Sequence, residues 1–436
     1  MAQAPDFEVI RDPLWDNIRL DRTAVAALDT PTVQRLRYVR QLGHAFLVYP
    51  GATHTRFEHA LGAYHLTRKA LASLEERGEL ACVAEEDRLA VRLAALLHDI
   101  GHYPFSHALE EAGFPSHEKL GVAKLDRGEL GERLREAGGP EFPARVGALI
   151  TKQSPSPLQG LISGSLDLDK IDYLSRDAFM CGVPYGTVDV ERLLASLTLV
   201  DAGGRSEVGV HEKGVSALES LLFAKYQMYR NVYWHHAVRA ATCMFKRAVL
   251  AAAAAGAIGD AVIAEATDDG LMELLLRRNG ATGAVADWRA IAAAIRARRL
   301  YKRAMDLPAS DVPADAQPWV ADDPALVARV EDSLASEVGL PPGGLLLDYP
   351  SRSSMLGVDL PLRLRGGAID RLTDEGRAGQ LGLPRVADEL YRSARRFRVF
   401  VAQPPARSLG GILDVSTLPA ADVSRRLSAQ EPLLRR

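Results

Sequence analysis

Three histidines and an aspartate crowd one ten-residue stretch of this chain: His98, Asp99, His102 and His107, directly after the apolar run Leu93 to Leu97. An apolar run that ends in adjacent His and Asp reads as a buried helix whose terminus presents metal ligands. Neutral imidazole and carboxylate together suit several divalent metals, from Mn and Fe to Zn and Ni. Residues 98 and 102 lie one helical turn apart and are expected to share a face. Gly101 and Pro104 then break the helix, and Ser106 stands where a cap for the next one is expected. A lone histidine in such a place is ordinarily a satisfied core residue. Four polar groups side by side at the end of an apolar helix point to a site instead.

The 436 residues imply two or three structural units. With 47% hydrophobic and 25% charged residues the composition is that of an ordinary globular protein. A net charge of −3 leaves no global basic field for nucleic-acid binding, and the short clusters Arg35, Arg37, Arg40 and Arg395, Arg396, Arg398 read as solvated faces. Three scattered cysteines suit neither a disulfide framework nor a CxxC zinc site. The N-terminus lacks the basic and apolar regions of a signal peptide. The longest apolar stretch, Ala248 to Ile258, is too short to span a membrane. A cytoplasmic location, with no membrane partner, is the expectation.

Residues 6–22 alternate weakly and suggest a hairpin-like arm. A short helix is expected at 23–28. Asp29, Thr30 and Pro31 then start another, with Gln34, Arg37 and Gln41 on one of its faces. Further helices are expected at 55–77, 87–101, 106–112, 117–125, 143–151, 167–178, 189–196 and 214–256, the last broken in two, with a strand at 205–211. Residues 259–305 continue as helices broken near Asn279 and Gly280, and 307–318 reads as a linker. Segments 344–348, 361–365 and 397–401 look like strands, 385–396 like a helix, and a polar tail follows from Pro404. The divisions are therefore 1–256, a catalytic core with an N-terminal arm; 257–318, a helical extension and linker; 319–405, a small α/β unit; and 406–436, the tail.

Two more motifs carry chemistry. Arg56 and His59 stand three apart, on one helix face. Asp169, Tyr173 and Asp177 recur every four residues as a polar stripe, which is either a solvated face or a set of carboxylates held by partners or a metal. His59, His98, Asp99 and Asp169 match the H…HD…D pattern of the HD-domain phosphohydrolases. The chain resembles in particular the bacterial relatives of the SAM-and-HD-domain dNTP triphosphohydrolases, from Val9 to about Gln403. The matching motifs are Gln34 to Tyr38, Arg56 to His59, His98 to His107 and Asp169 to Tyr173. The separate SAM module has no counterpart here.

The resemblance implies a mainly α fold, an HD-domain helical core with a small α/β C-terminal unit. It implies one divalent metal on His59, His98, Asp99 and Asp169, with Mn, Fe, Mg, Zn, Co and Ni not distinguished. Such a metal lowers the pKa of water and polarises a phosphoryl group. Arg56 and Lys170 match the family's phosphate contacts. His102 and His107 match histidines set against the reacting phosphate. His117 matches a further active-site histidine, a general acid for the departing 5′-oxygen, and Glu110 is its orienting carboxylate where animal relatives carry Asp. Gln41 and Leu42 match the pair lying against base and sugar, and Tyr173 and Asp177 match contacts to the sugar and its 3′-hydroxyl.

Several positions depart from the family. Lys225 replaces a phosphate-binding arginine, keeping charge without the planar fork. Tyr233 keeps the tyrosine against the deoxyribose, while Trp234 replaces a glutamine. His235 and His236 are assigned a packing or surface role. Asp29, Gln34 and Arg37 match positions that bind an activating guanine nucleotide, although Asp29 is equally a good helix start, and Glu8 and Arg11 replace a lysine and an asparagine there. The implied activity is metal-dependent hydrolysis of dNTPs to deoxynucleoside and inorganic triphosphate by a homo-oligomeric enzyme. The alternatives are a phosphatase or phosphodiesterase acting on another nucleotide, and a nucleotide-sensing scaffold with little turnover.

Overall fold

The computed structural model describes residues 7–201, 203–277, 286–351, 357–373 and 387–434. The weak N-terminal alternation closes as a hairpin, β1 (Phe7–Asp12) antiparallel to β2 (Asp16–Asp21), with Asp16 left-handed in the turn. Asp21 then caps α1 (Arg22–Leu28) by accepting the Ala24 N–H. Pro31 opens α2 (Pro31–Gln34). The expected face of Gln34, Arg37 and Gln41 does not form. A 3₁₀ turn over Arg35–Tyr38 gives way to extended backbone at Val39, and the Gln41 N–H donates to the His54 carbonyl across a loop.

Six helices make the central bundle: α3 (Arg56–Glu76), α4 (Glu85–Leu97), α5 (His117–Leu125), α6 (Gly128–Gly138), α7 (Phe142–Ile150) and α8 (Leu168–Cys181). A capping box of Thr55 and Glu58 fixes the start of α3. Leu61, Leu66, Leu93, Leu96, Ile171 and Leu174 meet in one buried cluster. Helix α4 stops at Leu97, with His98 as its C-cap, so residues 98 and 102 share no helical face. The expected helix at 106–112 shrinks to a 3₁₀ turn, Ser106–Ala108, because Phe105 and Ser106 are both left-handed. Helix α6 is an addition to the sequence reading, its Leu130 and Leu134 completing the core.

The chain continues through α9 (Val190–Ser196), β3 (Leu197–Asp201), β4 (Ser206–His211) and α10 (Val215–Met228). A π-helical turn, Tyr229–Tyr233, provides the break before α11 (His236–Ala254). Next come α12 (Asp260–Glu265), α13 (Asp268–Arg277), α14 (Trp288–Arg296) and β5 (Lys302–Pro308). The break expected near Asn279 and Gly280 lies outside the described residues. The remainder holds α15 (Trp319–Asp322), α16 (Pro324–Glu337), β6 (Leu345–Asp348), β7 (Leu360–Arg363), β8 (Ile369–Leu372), α17 (Ala387–Ala394), β9 (Arg396–Val401), α18 (Ile412–Thr417) and α19 (Ala420–Ser428).

The protein is thus mainly α-helical, with an HD-type core and a smaller mixed α/β region toward the C-terminus. That region is divided between two sheets. One is β5-β9-β6, all antiparallel, so residues 302–308, at the edge of the expected linker, form a paired strand. The other is β3-β4-β7-β8, in which β4 pairs in parallel with β7. Val358, Leu360, Leu362 and Leu372 consequently join the core of the bundle. The expected polar tail from 406 is folded instead: Ile412, Val415, Val423 and Leu433 are buried with Val330, Leu334 and Phe397. Single apolar residues spaced over two short helices carry too little periodicity to announce this in the sequence. Among the described residues no helix is long and apolar enough to cross a membrane.

Candidate metal centre and active site

Helices α3, α4 and α8 bring together His59, His98 and Asp169, whose ligand atoms all lie within 4.8 Å of one another. His59 Nε2 is 2.8 Å from Asp169 Oδ1 and 3.3 Å from His98 Nε2. The opposite ring nitrogens are spoken for: His98 Nδ1 lies 2.8 Å from the Ala95 carbonyl and His59 Nδ1 2.8 Å from Asp172 Oδ2. Donation from those Nδ1 atoms leaves both Nε2 lone pairs for a cation, the arrangement that orients metal-binding histidines. Asp99 borders the group, Oδ2 at 3.7 Å from His59 Nε2 and Oδ1 at 3.4 Å from His98 Nε2. Its Oδ2 also accepts from Arg56 Nη1 at 2.6 Å.

The electrostatics fit a divalent cation. Burial opposes a charge on His59, yet Asp169 and Asp172 raise its pKa to about 10; His98 is also raised, against burial, by Asp99 and Asp169. Against the burial that would neutralise them, Asp99 is held well below the ordinary carboxylate range by Arg56 and nearby histidines, and Asp169 by His59 and His98. The carboxylates therefore want positive charge between them. A metal supplies it by displacing the protons, making affinity fall in acid. The donor set suits one divalent ion of undetermined identity.

Behind this group lies a layer that the sequence reading missed. Arg176, fully buried, donates to both oxygens of Asp172 and to Asp12 of β1, and the Trp15 indole donates to Asp172 as well. Removing one member would strand a buried charge, at a cost of about 3–5 kcal/mol. Asp172 stood inside the matched Asp169 to Tyr173 motif without a role, and its i, i+4 spacing to Arg176 is one that exposed helix faces also show.

A second group stands beside the first. His102, His107, Glu110 and His117 also offer atoms within 4.8 Å. His117 Nδ1 is 2.7 Å from Glu110 Oε1, His107 Nδ1 3.5 Å from the same oxygen, and the His102 and His117 rings stack at 3.8 Å. Burial and the neighbouring Arg56 and His117 push the His102 pKa well down, leaving it neutral. His117 moves the other way: burial is overcome by Glu110, which raises it. Here it is Glu110 that favours a proton on His117, whereas in the first set a metal takes the place of the protons.

The loop joining the two groups is strained. Phe105 and Ser106 have φ of 58° and 61°, at about 1–3 kcal/mol for each such residue. Ser106 does not cap a helix; its Oγ lies 2.7 Å from the Arg40 carbonyl and 3.1 Å from Arg56 Nε. Gly43 is required opposite, since a Cβ there would meet the Phe105 carbonyl at 2.9 Å. His44 stacks on Phe105 at 4.2 Å.

Apart from His59, the members of both groups line a cavity of about 730 Å³, together with Gln41, Leu42, Arg56, Tyr173, Asp177, Tyr229, Tyr233 and Trp234. At one end Asp177 accepts from Tyr233 Oη at 2.6 Å and sits 2.8 Å from His54 Nε2, a partner the sequence did not reveal. Two expected phosphate cations are not among the lining residues. Lys170 Nζ is bonded to the Asp167 carboxylate and the Gly164 carbonyl. Lys225 lies near Lys170, and burial and that charge lower its pKa to about 8. Lys152, unremarked in the sequence, does line the cavity.

Asp29, Gln34 and Arg37 do not line the cavity: Arg37 Nε donates to Gln34 Oε1 at 2.7 Å and lies over the Phe57 ring, and Asp29 is exposed at the end of α1. His235 accepts from the Ala237 N–H at the start of α11, and His236 stacks near it.

Comparison with known proteins agrees with this geometry. The profile of the HD domain matches residues 56–177, and that of the HD associated region residues 188–374. The chain is 40% identical over 245 residues to an uncharacterized protein of Methanocaldococcus jannaschii, covering 56% of this chain and 49% of that one. It is 28% identical over 346 residues to the deoxynucleoside triphosphate triphosphohydrolase SAMHD1 of Danio rerio, covering 68% and 55%. It spans about half the length of the curated relatives it matches. A hypothetical protein from Aquifex aeolicus superposes with a TM-score of 0.69 at 27% identity, over 91% of this chain and 96% of that one. A phosphohydrolase from Bacteroides thetaiotaomicron gives the same TM-score at 22% identity, over 91% and 100%, a likeness of fold.

Proposed function

We propose a reaction from one premise: the chain is an HD-domain protein, related at superfamily level to phosphohydrolases that include the dNTP triphosphohydrolases. The reaction is hydrolysis of a deoxynucleoside triphosphate to deoxynucleoside and inorganic triphosphate. The observation that carries it is the opening, into one cavity, of a cation-seeking set and a proton-bearing set, with a hydroxyl-reading end in the same space. His59, His98, Asp99 and Asp169 hold a divalent metal, which supplies Lewis-acid polarisation of a phosphoryl oxygen and a lowered pKa for water. Arg56 and neutral His102 face the α-phosphate, with His107 at the more exposed side. Water oxygen bonds to the α-phosphorus and releases a proton to solvent, the bond to the 5′-oxygen breaks, and His117, on which Glu110 favours a proton, gives that oxygen its proton and regains one from solvent. Gln41 and Leu42 lie against base and sugar, Tyr173 and Tyr233 flank the deoxyribose, and Asp177 reads the 3′-hydroxyl. Lys170 and Lys225 serve the phosphate tail once Lys170 leaves Asp167.

The test is product analysis over all eight dNTPs and NTPs with Mn²⁺ or Mg²⁺. Inorganic triphosphate is expected; pyrophosphate or orthophosphate overturns the reaction. Because Lys170 is tied to Asp167 and neither lysine lines the cavity, a nucleoside monophosphate is the second substrate to assay. We assign Asp29, Gln34 and Arg37 to an activating nucleotide, in a cytoplasmic homo-oligomer. A fourfold rise in turnover on adding GTP, absent in Arg37→Ala, would support that assignment; the size of the rise is of the order of about 1 kcal/mol of coupling.

A further inference from the structure

The strained loop that carries His102 and His107 is held from outside the bundle. Its backbone groups are satisfied by two charged side chains working from opposite directions across the corner between α12 and α13. From the first side, Arg35 donates through Nη2 to the His102 carbonyl at 2.9 Å and to the carbonyls of Ala264 and Ala266. From the second, Asp268, the first residue of α13, accepts the Phe105 N–H at 2.7 Å through Oδ1. The other Asp268 oxygen accepts from the Arg40 N–H and from Arg40 Nη1, each at 3.1 Å. The Asp268 side chain is 1% exposed.

We propose that Asp268 is a positioning residue: it staples the left-handed Phe105–Ser106 turn to the Arg40–Gln41 loop, setting His102 and His107 against the reacting phosphate. Two independent features support this. Consecutive left-handed residues with side chains do not persist unless their surroundings over-determine them, and the Phe105 N–H is the point at which Asp268 does so. The two stapled segments also touch each other and line one cavity, since Ser106 Oγ meets the Arg40 and Gln41 carbonyls and Gln41, Leu42, Phe105, Ser106 and His107 all line it. Residue 268 lies 163 positions from Phe105 and 228 from Arg40, so the helical extension contributes directly to the geometry of the site. Asp268 itself does not line the cavity and touches no substrate.

The inference rests on the proposed hydrolysis, and the experiment separates the two. Metal-loaded full-length wild type, Asp268→Asn and the exposed neighbour Asp269→Asn are compared by steady-state kinetics and by amide hydrogen exchange across residues 102–107. Expected for Asp268→Asn is a kcat lower by about 10- to 100-fold with KM within about threefold, because a small misplacement of reacting groups acts on the transition state. Exchange in the loop should be at least about tenfold faster, the opening of a local clamp. Metal content and the Asp269→Asn enzyme should match wild type. Should Asp268→Asn not accumulate as folded protein, Arg40→Met carries the same test from the half-buried partner. An unchanged kcat, or an effect confined to KM, overturns the positioning role; a wild type that turns over no nucleotide overturns the reaction.

Discussion

The two histidine groups are neighbours but are built in opposite ways. His59, His98 and Asp169 project from the ends of long helices, and each histidine ring is locked from behind by Asp172 or by the Ala95 carbonyl. His102 and His107 ride on a turn with two left-handed residues, and buried His102 has Nε2 3.1 Å from Asp99 Oδ1 while its Nδ1 has no hydrogen-bond partner. One group is fixed by regular structure and gathers negative charge. The other stands partly on a loop fixed by distant anchors, and its proton is favoured on His117, at the start of α5, by Glu110. A cation needs immobile ligands with outward-facing lone pairs, whereas proton transfer needs a ring whose environment favours the charged form without freezing it.

The largest effect that would break this contrast comes from Asp169→Asn. Loss of bound metal and a fall in turnover of about 10³-fold or more are expected, read by elemental analysis and by triphosphate release. Retained metal with full activity would mean that helix ends do not build the centre. Next is Glu110→Gln. His117 then loses the carboxylate that raises its pKa. Turnover should fall by about 10²-fold with metal content intact. Because the protonated ring is the active form, activity is lost as pH rises through its pKa, so the alkaline limb of the kcat profile should move to lower pH.

Smaller, and aimed at the locked side, is Asp172→Asn. Metal affinity should drop by about 10- to 100-fold in a chelator competition, and thermal unfolding should show the stranded Arg176. The smallest concerns the loop. His44 is neutral, its pKa lowered from 6.5 to about 3 by burial and by Arg40. Stability that is fully present above pH 6.5 is therefore lost as pH falls, by about 2 kcal/mol at pH 5. His44→Phe should remove this acid sensitivity in urea titrations, since neither His44 nitrogen has a partner to lose.

The ligands of the first group were legible through the resemblance to the HD-domain phosphohydrolases, whose motif order names them; helix register alone placed only Arg56 beside His59 on α3 and Asp169 beside Tyr173 on α8. The end of α4 at Leu97 was not legible to the residue, nor was the 3₁₀ turn after it, because left-handed φ at Phe105 and Ser106 has no signature when neither residue is glycine. Asp172, His54 and Asp268 escaped for a further reason. Each acts on a group at least 113 positions away, and only tertiary packing selects such a partner. Lys170 shows the converse: its motif was plain, yet a neighbouring carboxylate claims its ammonium.

The parallel pairing of β4 with β7 carries a practical consequence for dissecting this molecule. A fragment ended at residue 318 would retain every residue of both histidine groups, yet would lay Val208 and Val210 bare along an open strand edge. Such an edge invites self-association. Activity lost on trimming would then report stickiness rather than a missing catalytic part, and point substitutions are the sounder dissection.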